Sequence, residues 1–407
     1  MATKRAATFL AFNFRSLFTS PSSSFLRPPP HLARRLASTH TSHPRTKSPK
    51  FALSRRPEAH HPQVHQLLNA IQRRDQNLVW KTYVALDEGG NIRLLTAEDH
   101  SEALRSFRLK NYIDYGSAEI ERCRDRILYV LERMQSLGHK PDVRDFNFLL
   151  EFFGRVKDAH GCETYWSRMR ELNITPNVHS YNLYLYAAVR RRDVDLATWI
   201  YSEIRDAKVR PTAFTHEAMI EMYGGVRNAS AAMRVFNQAF GKTRENGLLV
   251  PTVKTFNALL SALGESGEVR SMVRCYEQMM REEYKVIPNL DTFNTLIRWL
   301  CERSDMRTAR RIFNEMQQPP YNLQPNIITF RYLVRHETLK RDRTSTAWKV
   351  MRAMREVYSV NPLGSMFRDL IRQHLRHGRE EAAQHVLKQW REVMRDQQSP
   401  RVALESK

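Results

Sequence analysis

The chain lacks the short motifs that mark common enzyme active sites. Its 407 residues contain no GxxxxGK[ST], GxGxxG, HExxH or GxSxG pattern, and no cysteine pair in CxxC spacing. Those patterns carry the phosphate loops, metal ligands and nucleophiles of the corresponding enzymes. We therefore expect no catalytic residue, no metal site and no cofactor, and we predict that the chain is not an enzyme.

Cysteine is scarce, and the few cysteines are scattered. The four residues are Cys123, Cys162, Cys275 and Cys301. Disulfide-rich domains and structural zinc sites instead place their cysteines at short, regular spacings. The cysteines are therefore predicted to be free thiols in a reducing compartment.

Long apolar segments are also missing from the sequence. A helix that spans a membrane needs about 18 or more consecutive, mostly apolar residues, and no stretch approaches that length. We expect a soluble chain with no membrane span.

Acidic residues are absent from positions 1–57, which contain 11 Lys or Arg residues. A segment that is rich in Arg and Ser and free of acids is typical of a mitochondrial transit peptide. Its charge suits import across a membrane that is negative inside. A chloroplast transit peptide, a plain basic tail and a secretory signal at Ala6–Phe14 are the alternatives. We predict a disordered mitochondrial transit peptide and a mature protein in the matrix.

Basic side chains outnumber acidic ones over the whole chain. There are 65 Lys and Arg residues against 43 Asp and Glu residues, which gives a formal net charge of +22. Such a charge favours a polyanionic partner, either a nucleic acid or an anionic membrane surface.

A proline recurs every 35 to 40 residues, and an aromatic residue or a histidine follows each proline five positions later. The prolines are Pro141, Pro176, Pro211, Pro251, Pro288, Pro325 and Pro362. A period of this length is the signature of a solenoid of stacked units. Each unit has two segments with helical spacing, so the predicted fold class is all-α.

The second helix carries an alanine at one fixed place in five of the seven units, with Cys162 and Met272 there in the other two, and a small residue there predicts close packing of helix backbones. The alanines are Ala197, Ala232, Ala309, Ala347 and Ala383. Second-helix aromatic residues such as Trp199 and Tyr201 are predicted to lie in the core. The extra residues of the longer units fall after the second helix, and we expect them at the outer edge of the stack.

This repeat resembles the pentatricopeptide repeat family, whose pattern is (S/T)-(Y/F)-N-x-L, then A-x6-M, then P-(N/D). Phe256-Asn257-Ala258-Leu259 with Pro288-Asn289 matches that pattern closely, as does Phe293-Asn294-Thr295-Leu296 with Pro325-Asn326. The resemblance covers roughly residues 92–396. It implies a right-handed superhelical solenoid of stacked helix-turn-helix repeats behind a disordered N-terminal extension.

Four regions follow from the repeat pattern and the resemblance. They are the transit peptide at 1–57, degenerate N-terminal hairpins that form a cap at 58–120, a solenoid at 121–396 and a polar tail at 397–407. The predicted repeats are about 143–177, 178–212, 213–252, 253–289, 290–326, 327–363 and 364–396.

In the resembling family, each repeat contacts one nucleotide of single-stranded RNA through two positions. One is the residue after the first-helix aromatic residue, and the other follows the closing proline. Carried over, the pairs are Asn147 with Asn177, Asn182 with Thr212, Asn257 with Asn289, and Asn294 with Asn326. An Asn amide can donate and accept hydrogen bonds at a base edge. In the family, Asn at the first position favours pyrimidines.

Other positions either support or depart from this assignment. Arg155 and Arg190 lie where the family often has a phosphate-facing Lys. Glu217, Arg331 and Arg368 replace the first Asn in the remaining repeats and do not match a base-contacting pair. An Asn at a helix start is also a common N-terminal cap, which is the structural alternative for every pair.

We therefore predict sequence-selective binding of pyrimidine-rich single-stranded RNA in mitochondria. The process would be RNA processing, stability, splicing, ribosomal RNA maturation or translation, with the small subunit of the mitochondrial ribosome as a candidate partner. The alternative is a protein-binding helical scaffold, either a mitochondrial ribosome component or an assembly factor for a respiratory complex.

Overall fold

The computed structural model describes residues 61–108, 116–241, 249–340 and 342–402, with side chains up to residue 395. The predicted transit peptide, residues 1–57, lies outside the described residues. The described part contains eighteen α-helices, a 3-10 helix at Asn91–Leu94, a π-helix at His336–Lys340 and no strand. None of its helices has the length and apolarity that a bilayer span requires.

The described chain forms two compact units, which divide between Met222 and Tyr223. The N-terminal unit contains α1 (Pro62–Arg73), α2 (Gln76–Glu88), α3 (Ala97–Ser106), α4 (Ser117–Ser136), α5 (Val143–Val156), α6 (Ala159–Glu171), α7 (Val178–Arg191) and α8 (Val194–Asp206). Helix α9 (Ala213–Gly225) contains the division. The C-terminal unit contains α10 (Ala229–Phe240), α11 (Val253–Ser266), α12 (Val269–Met279), α13 (Leu290–Glu302), α14 (Met306–Glu315), α15 (Ile327–Arg335), α16 (Thr344–Glu356), α17 (Gly364–Arg376) and α18 (Glu380–Val402).

Helices alternate between two layers within each unit. The odd-numbered helices from α3 onward are called first helices, and the even-numbered helices from α4 onward are called second helices. In the N-terminal unit α5 packs on α7, and in the C-terminal unit α11 packs on α13 and α13 on α15. Each of these first helices also packs on the second helix that follows it. The predicted all-α stack of helix-turn-helix units is confirmed.

Local chemistry fixes where the first helices begin. The residue after the recurring proline is the N-cap, and in most repeats it forms a capping box with the third helical residue. These pairs are Asp142 with Asp145, Asn177 with Ser180, Thr252 with Thr255, Asn289 with Thr292, and Asn326 with Thr329. Such a cap satisfies first-turn N–H groups that have no partner in the helix. The next residue is the recurring aromatic, and Phe146, Phe293 and Phe330 are fully buried.

Adjacent first helices approach closely at glycines. A Cβ atom on Gly264 of α11 would lie 2.2 Å from Trp299 Cγ of α13, and one on Gly224 would lie 2.6 Å from the Ala262 backbone. Gly154 of α5 faces Ala187 of α7 less tightly, with the corresponding distance at 3.4 Å. Each glycine is the twelfth residue of its helix and faces the tenth of the next. The sequence interpretation missed this contact.

The longer repeats of the C-terminal unit insert a tyrosine between their two helices. Tyr284, Tyr321 and Tyr358 follow the second helices at intervals of 37 residues. Their rings lie 5.3, 5.0 and 5.1 Å from the first-helix rings of Phe256, Phe293 and Phe330, respectively. The expectation that the extra residues stay at the outer edge is therefore wrong for these tyrosines. Edge-to-face and tilted ring packing holds each tyrosine against the first helix, and Tyr321 is buried there.

The second helices bury their small residues but not every aromatic residue. Ala197, Ala232 and Ala309 are fully buried, as predicted. Trp199 was predicted to be core, but it is 40% exposed. It lies two residues after Ala197, about 200° around the helix, and its ring packs against the guanidinium of Arg170.

The cysteines are free and buried, so the prediction of free thiols is confirmed. Burial raises the pKa of each thiol, Cys123, Cys162, Cys275 and Cys301, to about 12. Because the thiolate is the nucleophilic form, these side chains are inert near neutral pH. Their role is packing.

Candidate functional site

The predicted pairs meet across successive repeats. In three of the four, the Nδ2 of the first residue donates to the side-chain oxygen of the second. These are Asn182 to Thr212 at 3.2 Å, Asn257 to Asn289 at 3.4 Å, and Asn294 to Asn326 at 3.4 Å. The second residue belongs to the next first helix, so each pair joins two consecutive repeats.

The second residue of each pair is the N-cap of that next helix. Asn177 Oδ1 accepts from the Ser180 N–H at 3.0 Å, and Asn289 Oδ1 accepts from the Thr292 N–H at 2.9 Å. Asn177 and Asn289 are nevertheless exposed. Capping occupies the amide oxygen and leaves the Nδ2 donors for other partners. The capping alternative is therefore real, and it is compatible with contact to a ligand.

In two of the four pairs, the third residue of the next first helix donates a hydrogen bond to the first residue of the pair. Thr215 Oγ1 donates to Asn182 Oδ1 at 2.7 Å, and Thr329 Oγ1 donates to Asn294 Oδ1 at 2.6 Å. Asn182 and Asn294 are 8% and 5% exposed. These asparagines are therefore fixed in orientation and present only an amide edge at the surface.

Two of the paired asparagines keep an unused acceptor. Asn147 Oδ1 and Asn257 Oδ1 are buried and have no hydrogen-bond partner among the described residues. Leaving a buried carbonyl oxygen without a partner costs about 1–3 kcal/mol.

The two predicted phosphate-contacting arginines lie eight residues after a paired Asn, about two helical turns along the same helix. Arg155 is exposed and forms an ion pair with Glu151 at 2.9 Å. The guanidinium of Arg190 lies 5.7 Å from the ring centroid of Tyr186. Both charges are on first helices, in the same layer as the pairs.

The repeats without a first Asn differ in structure as well as in sequence. Arg331 and Arg368 are exposed, and Glu217 is half-buried. The Arg331 guanidinium lies 5.6 Å from the Tyr332 ring centroid. Leu363, the residue that would complete the pair with Arg331, caps α17 without a side-chain hydrogen bond.

Ser101 holds the first-residue position of an earlier repeat, which the sequence interpretation missed. Thr96 caps α3, and Ser101 follows it at the same distance as Asn182 follows Asn177. Ser101 Oγ donates to Asp145 Oδ2 at 2.7 Å, and Arg105 Nη1 lies 3.2 Å from Asp145 Oδ1. Burial raises the pKa of Asp145. The spacing from Thr96 to Ser101 could have identified this position in the sequence.

Two exposed apolar side chains lie beside the pairs, and these were also missed. Phe214 is 47% exposed and stands two residues after Thr212. Ile328 is 38% exposed and stands two residues after Asn326. An exposed aromatic ring next to hydrogen-bonding amides is a surface on which a base can stack. The spacing of two residues after the cap could have identified both.

The bond between Thr329 and Asn294 predicts a difference in stability between two matched variants. Thr329→Val removes a cap contact and leaves Asn294 Oδ1 buried without its donor. Thr292→Val removes the same cap contact in the preceding repeat, but Asn257 Oδ1 already lacks a partner. Thr329→Val should lower the free energy of unfolding by about 1 kcal/mol more than Thr292→Val. Urea denaturation followed by circular dichroism measures the difference, and equal losses would contradict the assigned bond.

Sequence profiles of known repeats match several parts of the chain. The PPR repeat family matches residues 288–337, the pentatricopeptide repeat domain matches 129–187 and 166–227, and the PPR repeat matches 254–284. No curated protein sequence matches the chain.

Solved structures of the pentatricopeptide repeat protein PPR10 share the fold. The structure in complex with an 18-nt psaJ RNA element has a TM-score of 0.55 and 18% identity, over 77% of this chain and 50% of that chain. The structure of PPR10 from maize has a TM-score of 0.51 and 18% identity, over 90% and 52% of the two chains. The chain thus spans about half the length of that protein.

Proposed function

We propose that this chain, a pentatricopeptide repeat protein, binds pyrimidine-rich single-stranded RNA in mitochondria through the asparagine pairs of its first helices. The observation that carries the proposal is one hydrogen-bonded pair, an Asn with an Asn or a Thr, that recurs at the same place in three repeats. A repeated pair on a repeated scaffold suits a polymer with one contact per unit. The RNA bound by PPR10, whose fold this chain shares, supports the same class of ligand.

The pairs have the chemistry to contact the Watson–Crick edge of an unstacked base. The paired Asn amides supply Nδ2 donors in a plane that the bonds to their oxygens fix. Single-stranded RNA exposes its base edges, whereas a duplex hides them in base pairs. By analogy with base-edge contacts in DNA, each well-formed pair would contribute about 1–3 kcal/mol of discrimination.

Stacking and charge would supplement the pairs. Phe214 presents an exposed ring beside Asn182 and Thr212. Base stacking on an aromatic ring contributes about 1–3 kcal/mol and depends little on sequence. Arg155 and Arg190 would hold phosphates two turns away on the same helices.

The cellular role follows from occupying an RNA segment. A bound strand is protected from nucleases and cannot form a hairpin, so the protein would act in RNA processing, stability, splicing, ribosomal RNA maturation or translation. The small subunit of the mitochondrial ribosome is a candidate partner. The acid-free segment 1–57 supports the compartment. The mitochondrial location can be tested by import into isolated mitochondria. The full chain should be imported, and deletion of residues 1–57 should abolish import.

Base preference tests the proposal directly. At fixed salt, the full chain should bind a C- and U-rich single-stranded oligonucleotide at least about tenfold more tightly than an A- and G-rich one of equal length. Fluorescence anisotropy measures both affinities. Equal affinities would show that the pairs do not contact bases, and binding of neither strand would contradict RNA binding altogether.

A further inference from the structure

Three second helices of the C-terminal unit carry an excess of positive charge. Helices α12, α14 and α16 carry eight basic and three acidic residues. The first helices α11 and α13, which bear Asn257 and Asn294, carry two basic and three acidic residues. The charge is therefore on the opposite layer from the asparagine pairs of these helices.

The second helices of the N-terminal unit do not share this charge. Helices α6 and α8 together carry three basic and five acidic residues. The excess positive charge of α12, α14 and α16 is therefore not required by the repeat architecture.

Five of the basic residues recur at equivalent positions of their helices. Arg274, Arg311 and Lys349 each lie two residues after the buried small residue or methionine of their helix, and Arg270 and Arg307 lie two residues before it. All five side chains are exposed. Trp199 holds the corresponding exposed place in α8 of the N-terminal unit. We call Arg270, Arg274, Arg307, Arg311 and Lys349 the second-helix cations.

Intrahelical pairing does not account for the second-helix cations. Arg270, Arg274, Arg307 and Lys349 form no ion pair with any residue in the described ranges. Arg270 and Arg274 are four residues apart, and so are Arg307 and Arg311. Like charges at that spacing repel each other and destabilise a helix. An external anion would relieve the repulsion.

The surrounding surface defines the kind of anion. No large apolar side chain of the described helices α12, α14 and α16 is exposed, whereas a helix that binds a membrane surface inserts an apolar face. Their aromatic side chains Tyr276 and Phe313 are buried, and Trp348 is half-buried against Phe367. No exposed ring is thus offered for stacking, which single-strand binding uses.

We propose that the second-helix cations bind the phosphate backbone of double-stranded RNA. Four of the five are arginines, whose planar forks match phosphate oxygens. A duplex presents phosphates and sugar hydroxyls while its bases remain paired, which fits a surface with charge and no stacking ring. One RNA could then place a hairpin stem on the second helices and an adjoining single strand on the first helices.

A charge-neutralising variant and a matched control test the proposal on the full chain. The test variant combines Arg270→Gln, Arg274→Gln, Arg307→Gln and Lys349→Gln. The control combines Arg73→Gln, Lys81→Gln, Arg122→Gln and Lys208→Gln, which remove four exposed cations of the N-terminal unit. Both variants lower the net charge equally, so any difference between them reports the location of the charge.

The probe is a blunt RNA duplex of about 16 base pairs, a length that known duplex-binding domains span. The test variant should lose at least about tenfold in duplex affinity, and its salt slope should fall by about four. The control should retain duplex affinity within about twofold. Affinity of the test variant for the pyrimidine-rich single strand should fall much less than its affinity for the duplex.

Several results would overturn the proposal. Equal losses in the two variants would indicate a general charge effect, and failure of the wild-type chain to bind the duplex would exclude the surface. Equal losses of single-strand and duplex affinity in the test variant would assign the cations to the single-strand path. Binding to cardiolipin vesicles, lost in the test variant while duplex binding is unchanged, would identify a membrane surface instead. The single-strand assay on the wild-type chain separately decides the function proposed for the asparagine pairs.

Discussion

Exchanging Asn289 and Asn326 together for aspartate is expected to increase the preference for uracil over cytosine at two nucleotides. The Nδ2 of an asparagine can donate to N3 of cytosine, which is an acceptor. An aspartate can only accept, and it would accept from N3–H of uracil. Each position should change the discrimination by about 1–3 kcal/mol.

The exchange leaves the fold unchanged because both residues are N-caps. Aspartate and asparagine cap helices about equally well. A carboxylate at these positions would still accept from the helix N–H groups and from Asn257 Nδ2 and Asn294 Nδ2. A change in base preference would therefore report contact with the base, separate from any loss of stability.

The measurement is the ratio of affinities for C-rich and U-rich single strands of equal length. The ratio cancels the general weakening that two added negative charges cause. Asn228→Asp is the matched control, because Asn228 caps the second helix α10 and accepts from the Ala231 N–H at 3.0 Å. It should leave the ratio unchanged. An unchanged ratio in the double variant would reject Asn289 and Asn326 as base contacts.

Gly264→Ala should destabilise the C-terminal unit by about 1–3 kcal/mol, although alanine is the better helix former. In a free helix the exchange would stabilise by about 1 kcal/mol. In the folded protein the new Cβ would lie 2.2 Å from Trp299 Cγ, a separation that two carbon atoms cannot occupy. The buried indole must move, and overpacking of this kind costs about 1–3 kcal/mol.

The expected effect of Gly264→Ala on stability reverses when Trp299 is removed. In a Trp299→Ala chain, which is itself less stable by about 3–5 kcal/mol, the obstacle is gone and Gly264→Ala should stabilise. Gly154→Ala is the control at the same helical position, because its Cβ would lie at 3.4 Å from Ala187 Cβ, and it should be neutral or stabilising. Urea denaturation of the wild-type chain, the two single variants and the double variant measures the coupling free energy between Gly264→Ala and Trp299→Ala. Equal effects of Gly264→Ala in both backgrounds would contradict the close approach of α11 and α13.

The asparagine pairs show how a structural and a functional role share one residue. Asn326 caps α15 and accepts from Asn294 Nδ2, while Thr329 donates to Asn294 Oδ1. These bonds fix the plane of the Asn294 amide before any ligand arrives. A preorganised amide loses less conformational entropy on binding than a free side chain would.

The repeat and the helix starts could be predicted from the amino-acid sequence alone. Each helix start depends on residues that are close together in the chain. They are a proline before the N-cap, a hydroxyl at the third helical position and a buried aromatic residue after that hydroxyl. Their spacing alone therefore specifies the local structure. The pairing of Asn182 with Thr212 was also predicted, because the resemblance to the pentatricopeptide repeat family implies that these two positions act together.

Which atoms of those residues form hydrogen bonds, and which side chains surround them, depended on the tertiary structure. The burial of Asn294 under Thr329, the exposure of Trp199, the insertion of Tyr321 against Phe293 and the contact of Gly264 with Trp299 depend on which side chain of a neighbouring helix faces each position. Neighbouring repeats differ in sequence at these places, so the contact between two repeats is a property of both. Periodicity describes what the repeats share, whereas packing depends on where they differ.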